Sequence, residues 1–161
     1  MDAFALPRWA YVPGVDAAAD RAALDPVKAC VPAAFEQGVP ASHPALAYGL
    51  RLNDAGFFWE AHEILEAVWQ AAPKGGRDRI VLRGCIQVAN ANLKLKMGRL
   101  AAARRLYAEA EAEFAELGLR RGGDGADGFA ARFPAAGMVR ELQGIGLSTP
   151  HGPVRLVQVS S

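Results

Sequence analysis

Apolar residues recur at helical spacing through the middle of this chain. From Phe57 to Ala71, the residues Phe57, Ala61, Ile64, Leu65 and Val68 share one face of a 3.6-residue turn. Pro73-Lys74-Gly75-Gly76 breaks that pattern. The next run, Arg77 to Met97, is apolar or small on nearly every side except one stripe of Arg79, Arg83, Gln87, Asn90 and Lys94. Asn92 and Lys96 form a smaller polar edge. A helix of this kind is expected to be central, and Gly98 stops it. From about Leu100 to Leu117 a further stripe aligns Leu100, Ala103, Leu106, Ala110, Phe114 and Leu117. Arg104, Arg105, Glu109, Glu113 and Glu116 lie on its other side as a solvated face. Before these runs, Ser42 reads as an N-cap and Pro44 as the first turn of a helix reaching about Asp54, closed by Gly56. Connections this short favour antiparallel neighbours. The pattern therefore predicts an all-α fold, a single-domain antiparallel bundle of about four to five helices.

The flanks read differently from this core of residues 44–117. Residues 1–43 carry Pro7, Pro13, Pro26, Pro32 and Pro40, so they predict an extended arm broken by short turns. Phe4, Leu6, Trp9, Tyr11 and Val12 are too apolar for a free tail, so the arm is expected to pack across the body. Residues 118–161 read as a Gly-rich loop (GLRRGGDGADG, 118–128), a short helix near Ala136–Gln143 and an extended tail, VRLVQV (154–159). No partner strand is visible for that tail, so no sheet is expected.

The helix around FFWEAHEILEAVW (57–69) carries the candidate chemistry. His62 and Glu66 are one turn apart at the border of the apolar face, with Trp69 on the core side and Trp59 on the other. Glu63 projects further round and Glu60 further still, toward water. Across the interface, Gln87 and Asn90 are expected to meet His62 and Glu66, with Gly84 letting the two backbones approach.

Composition narrows the function classes. In 161 residues, 52% hydrophobic and 22% charged, the chain has the make-up of one ordinary globular domain. A net charge of +1 provides no field to recruit nucleic acid or an anionic membrane. No run approaches the roughly 18 apolar residues of a membrane span, and MDAFALPRWAYVPG lacks the features of a secretory signal. The expectation is a cytoplasmic protein without a nucleic-acid or membrane partner, a homodimer being the partner considered. Cys30 and Cys85 lack metal-type spacing; Cys85 reads as a small buried hydrophobe and no disulfide is expected.

LNDAGFFWEAHEILEAVW (52–69) followed by LRGCIQVANANLKLKMG (82–98) resembles the bacterial and archaeal domain of unknown function 309 family. The matching residues are Asn53 and Gly56 of an Asn-x-x-Gly turn, then Glu60, Ala61, His62, Glu63, Leu65, Glu66 and Trp69. Gly84, Ile86, Gln87 and Ala89 follow on the next helix. The family's closing Gly-Asn is Gly98-Arg99 here. The resemblance covers about residues 44–117 and implies an all-α helical bundle. The family is sometimes labelled a predicted metal-dependent hydrolase, a suggestion resting on its His and Glu residues.

Three readings of the cluster follow. In the leading one, His62, Glu66, Gln87 and Asn90 satisfy one another as a structural network, and the protein is a scaffold or interaction module. In the second, His62, Glu63 and Glu66 do acid–base or binding chemistry without a metal. Trp59, Trp69, Arg83, Gln87, Asn90 and Lys94 then line a site for an anionic or planar small molecule. In the third, His62 and Glu66 ligate a divalent Zn, Mn or Fe ion, with Glu63 as third ligand or base, and the protein is a metal-dependent hydrolase. Against the third, a zincin helix needs histidine at position 66, and a di-iron bundle needs Glu-x-x-His on two helices where residue 59 is Trp. The other imidazoles, His43 and His151, have no evident route to the cluster.

Overall fold

The structure, a computed structural model, describes residues 4–120, 128–147 and 152–157. Seven helices lie within them: α1 (Arg21–Ala29), α2 (Pro44–Asp54), α3 (Phe58–Ala71), α4 (Arg77–Lys96), α5 (Leu100–Leu119), α6 (Phe129–Arg132) and α7 (Ala135–Leu147). No strand occurs among the described residues, and none of their helices is long and apolar enough to cross a membrane. The fold is all-α. Its axis is α4, with Val81, Leu82, Cys85, Val88 and Ala89 fully buried between α3 and α5.

Local chemistry sets the helix ends. Pro44 stands in the first turn of α2, with φ already set for a helix. Its cap is His43 rather than the expected Ser42: His43 Nδ1 accepts a hydrogen bond from Ala45 N at 3.2 Å. The helix closes at Gly56, whose φ of +93° suits a residue without Cβ. In α5, Leu100 is 44% exposed and Tyr107 takes a core position instead.

Gly84 was expected to bring α3 and α4 together, but it serves the other side of α4. A Cβ there would lie 2.5 Å from Phe114 Cε1 of α5. Phe114 in turn stacks on Phe133, centroids 5.1 Å apart, which carries the core into α6 and α7.

The proline-rich arm contains a helix that the proline count concealed. In α1, Leu24 and Val27 face the core while Pro26 and Ala22 face solvent. The missing Pro26 N–H would have served the Ala22 carbonyl, which water can reach instead. Ahead of α1 the arm is fastened by single bonds. Tyr48 Oη donates to Ala5 O at 2.8 Å, Arg51 Nη2 donates to Phe4 O at 2.9 Å, and Tyr11 N donates to Glu60 Oε2 at 2.9 Å. Glu60, expected in water, is therefore fully buried beneath the arm. Asp78, in the first turn of α4, accepts from Val39 N at 2.7 Å and Ala130 N at 3.0 Å. It joins the loop before α2 to α6.

At the other end, α7 is longer than the expected Ala136–Gln143. Residues 152–157 run without regular structure, with Val154 and Leu156 buried. Residues 121–127 of the expected Gly-rich loop and 158–159 of the expected tail lie outside the described residues.

Two measurements test this packing. G84A should lose about 1–2 kcal/mol in urea denaturation, because overpacking at about 1–3 kcal/mol outweighs a helix-propensity gain of about 1. G118A, with nothing within 4 Å of its Cβ, should gain about 0.5–1 kcal/mol. The second concerns Glu60, whose pKa burial raises above the ordinary carboxylate range. As pH rises through that range, the unfolded chain releases this proton before the folded chain does. Stability is therefore lost up to the raised pKa and stays lost above it. E60Q should remove that loss, so its advantage over wild type should grow between pH 4 and pH 8 in urea titrations.

Candidate functional site

The apolar face of α3, with Ile64, Leu65 and Val68 fully buried, leaves His62, Glu63 and Glu66 at its margin. His62 Nε2 lies 3.2 Å from Glu66 Oε2, and His62 Nδ1 lies 3.7 Å from Glu63 Oε1. Their side chains are 26%, 42% and 25% exposed for His62, Glu66 and Glu63, so this is a surface cluster. Lys28 of α1 donates to Glu63 Oε2 at 3.0 Å. One donor atom from each of His62, Glu63 and Glu66 lies within 4.8 Å of the others. An imidazole and two carboxylates at that separation fit a divalent ion held from one side, with the Lys28 ammonium displaced from Glu63.

The surroundings expected for this cluster lie elsewhere. Gln87 Nε2 donates to Glu109 Oε2 of α5 at 3.0 Å, and Arg83 Nε pairs with Glu113 Oε1 at 3.4 Å. These partners step in opposite directions along two antiparallel helices, so the polar stripe of α4 meets the acidic edge of α5. Asn90 and Lys94 are half-buried on α4 and form no hydrogen bond or ion pair with His62, Glu63 or Glu66. Trp59 is covered by the arm, with Tyr11 edge-on at 4.9 Å and the Arg21 guanidinium 5.7 Å from its ring. Trp69 lies under Arg79 at 4.4 Å. That same guanidinium donates to Ala72 O and Gln70 O, each at 3.1 Å, capping the last carbonyls of α3. An open cleft of about 310 Å³ beside Trp69 is lined by Arg79, Arg83 and Glu113 but by neither His62 nor Glu66. His43 caps α2 and packs against Phe35, while His151 lies outside the described residues.

A more enclosed polar cluster sits where a minor edge was expected. Asn92 of α4 is 1% exposed and Asn53 of α2 is 2% exposed. Asn92 Nδ2 donates to Val154 O at 2.9 Å and to Asn53 Oδ1 at 2.8 Å. Asn92 Oδ1 accepts from Val154 N at 2.9 Å and from the Tyr107 hydroxyl. Both amide hydrogens and both oxygen lone pairs are thus used, and the two Val154 bonds fix the orientation of the amide. Asn53 Nδ2 adds a second bond to Val154 O at 3.0 Å and one to Asp54 Oδ1 at 3.0 Å. Asp54 then accepts from Leu156 N at 2.6 Å and Val157 N at 2.8 Å. Burial raises the Tyr107 pKa, so its hydroxyl keeps its proton and donates.

Sequence reasoning missed this cluster, although a signal was present. Asn92 follows Cys85 and Val88 at i+7 and i+4, and Asn53 follows Leu46 and Gly49 in the same way. Both asparagines thus occupy core-stripe positions. Glu60 likewise stands one turn before Ile64.

No curated protein and no solved structure matches the chain. Residues 46–106 match the family described as a domain of unknown function (DUF309). The matched segment takes in most of α2, all of α3 and α4, and the first turns of α5. It holds both the surface cluster of His62, Glu63 and Glu66 and the buried asparagines with Asp54. Over residues 46–106 the chain is similar to the DUF309 family.

Proposed function

We propose that this chain is a scaffold and interaction module, a helical frame whose interior polar groups hold irregular stretches of polypeptide in place. The observation that carries the reading is Asn92, whose hydrogen-bonding capacity is filled by Val154 N, Val154 O, Asn53 and Tyr107. A buried amide used in this way is an anchor for main chain, with no capacity left for a reaction. Glu60 and Asp78 support the same reading, since Glu60 accepts Tyr11 N and Asp78 accepts Val39 N, both from segments outside the helices.

The donor set on α3 supports a second reading, a metal-dependent hydrolase. His62 and Glu66 would hold a divalent ion, with Glu63 as third ligand or base. Such an ion supplies a Lewis acid that polarises a bound water. The scaffold reading is preferred because these three side chains are only half-buried, Glu63 is paired with Lys28, and Trp59 and Trp69 face other partners.

The two readings place stability and metal affinity on different residues. N92A strands Val154 N–H, the Tyr107 hydroxyl and Asn53 Oδ1, so it should lose about 2–4 kcal/mol in urea denaturation. H62A removes only a half-exposed pair and should stay within about 1 kcal/mol of wild type. Tag-free protein titrated with Zn, Mn or Fe(II) should show no stoichiometric binding. Stoichiometric uptake abolished by H62A and E66Q, with hydrolysis dependent on the ion, would move the assignment to the hydrolase.

A further inference from the structure

Residues 152–157 are held as a bound peptide is held. Asn92 offers Val154 the N–H acceptor and C=O donor that a neighbouring strand would offer, and Asn53 occupies the carbonyl's second lone pair. Two residues on, the Asp54 carboxylate accepts Leu156 N and Val157 N. Val154 and Leu156 are 3% and 2% exposed, while the side chain of Arg155 between them is 62% exposed. Val154 and Leu156 thus share a face, as residues i and i+2 of an extended segment do, and the chain then bends at Leu156 and Val157. Arg155 Nε lies 3.8 Å from Asp54 Oδ2, so a positive charge at the middle position faces a negative one.

The receptor and the segment it holds come from different parts of the chain. Asn53, Asp54 and Asn92 lie within the DUF309 match, whereas the segment lies well beyond it. The contacts combine main-chain bonds at three residues with two buried apolar side chains and one charge. Any extended segment with that pattern meets the same requirements.

We propose that the α2–α4 groove is a peptide-binding site. Its partner is an extended apolar–basic–apolar segment of another protein, and residues 152–157 occupy the site as a tethered stand-in. The proposal rests on the interaction-module reading and names the partner of that module. A tethered occupant acts at an effective concentration of about millimolar, so a partner must bind well below that to displace it.

The test uses the full chain carrying V154D and L156D, which empties the groove while leaving Asn53, Asp54 and Asn92 intact. The probe is a fluorescent hexapeptide with the sequence of residues 152–157, GPVRLV. The variant, folded by circular dichroism, should bind it with micromolar Kd, and wild type should bind it at least about 100-fold more weakly. N-methylation of the valine that corresponds to Val154 should cost at least about tenfold, as should replacing the arginine by glutamate. Panning a random hexapeptide library on the variant should enrich apolar–basic–apolar sequences. A folded variant that ignores the probe would overturn the proposal, and so would binding indifferent to N-methylation and charge reversal, or panning that enriches another pattern. Wild-type dimers dissolved by V154D/L156D would assign the groove to a second copy and overturn it equally. Should the double variant fail to fold, millimolar probe added to wild type should speed hydrogen exchange at the Val154 and Leu156 amides. Unchanged exchange would then decide against the proposal. Loss of peptide binding alone leaves the metal and stability tests of the module reading untouched, so the two can fail separately.

Discussion

A backbone amide removed from water needs an acceptor, and a segment outside helix or strand has no regular ladder to supply one. This chain buries parts of three such segments: the arm, the loop before α2 with the start of α6, and the tail. In each case a side chain on a helix or at its N-cap supplies the acceptor. Asp20, just before α1, takes Arg8 N, Glu60 takes Tyr11 N, Asp78 takes Val39 N and Ala130 N, and Asp54 with Asn92 takes the tail. The bundle thus does through carboxylates and amides what a sheet does through a neighbouring strand. Residues expected to be solvated or incidental become the fasteners of the fold.

The same role has different electrostatic outcomes. Asp20 receives the Arg8 amide together with its guanidinium, and these bonds hold its pKa below the ordinary carboxylate value. Glu60 receives one amide, its Oε1 has no hydrogen-bond partner, and burial dominates to push its pKa up. An acceptor's charge state therefore depends on how many donors the docked segment brings and how much water it excludes. The arm brings Glu60 few donors and excludes nearly all of the water.

Periodicity made the helical core legible. Regular apolar spacing located α3 to α5, and end signals at Pro44 and Gly56 located α2, each to within a residue or two, and the i, i+4 rule placed His62 beside Glu66. Partner choice was not legible, because a wheel fixes which residues share a face and not what that face meets. With neighbours on two sides of α4, Gln87 and the close approach at Gly84 were assigned to α3, whereas both belong to α5. Pro26 hid α1 because proline is a weaker veto in a short helix whose affected carbonyl faces solvent. Asn92 and Glu60 were misread because a polar residue on an apolar stripe signals either an edge or an anchor. The acceptor's eventual donor lies in a distant segment with no pattern of its own.

The full use of Asn92 also has a consequence for the order in which the chain is made. The donors that complete this cluster lie 62 to 103 positions away along the chain, in a stretch synthesised after all seven helices. Until it emerges, the Asn53 and Asn92 amides and the Asp54 carboxylate lack the backbone partners of Val154, Leu156 and Val157. Loop closure over such a distance is also among the slower steps of folding. Completion of the interior thus waits on residues 152–157, so a product cut short after α7 keeps its helices but leaves their central polar seam open to water.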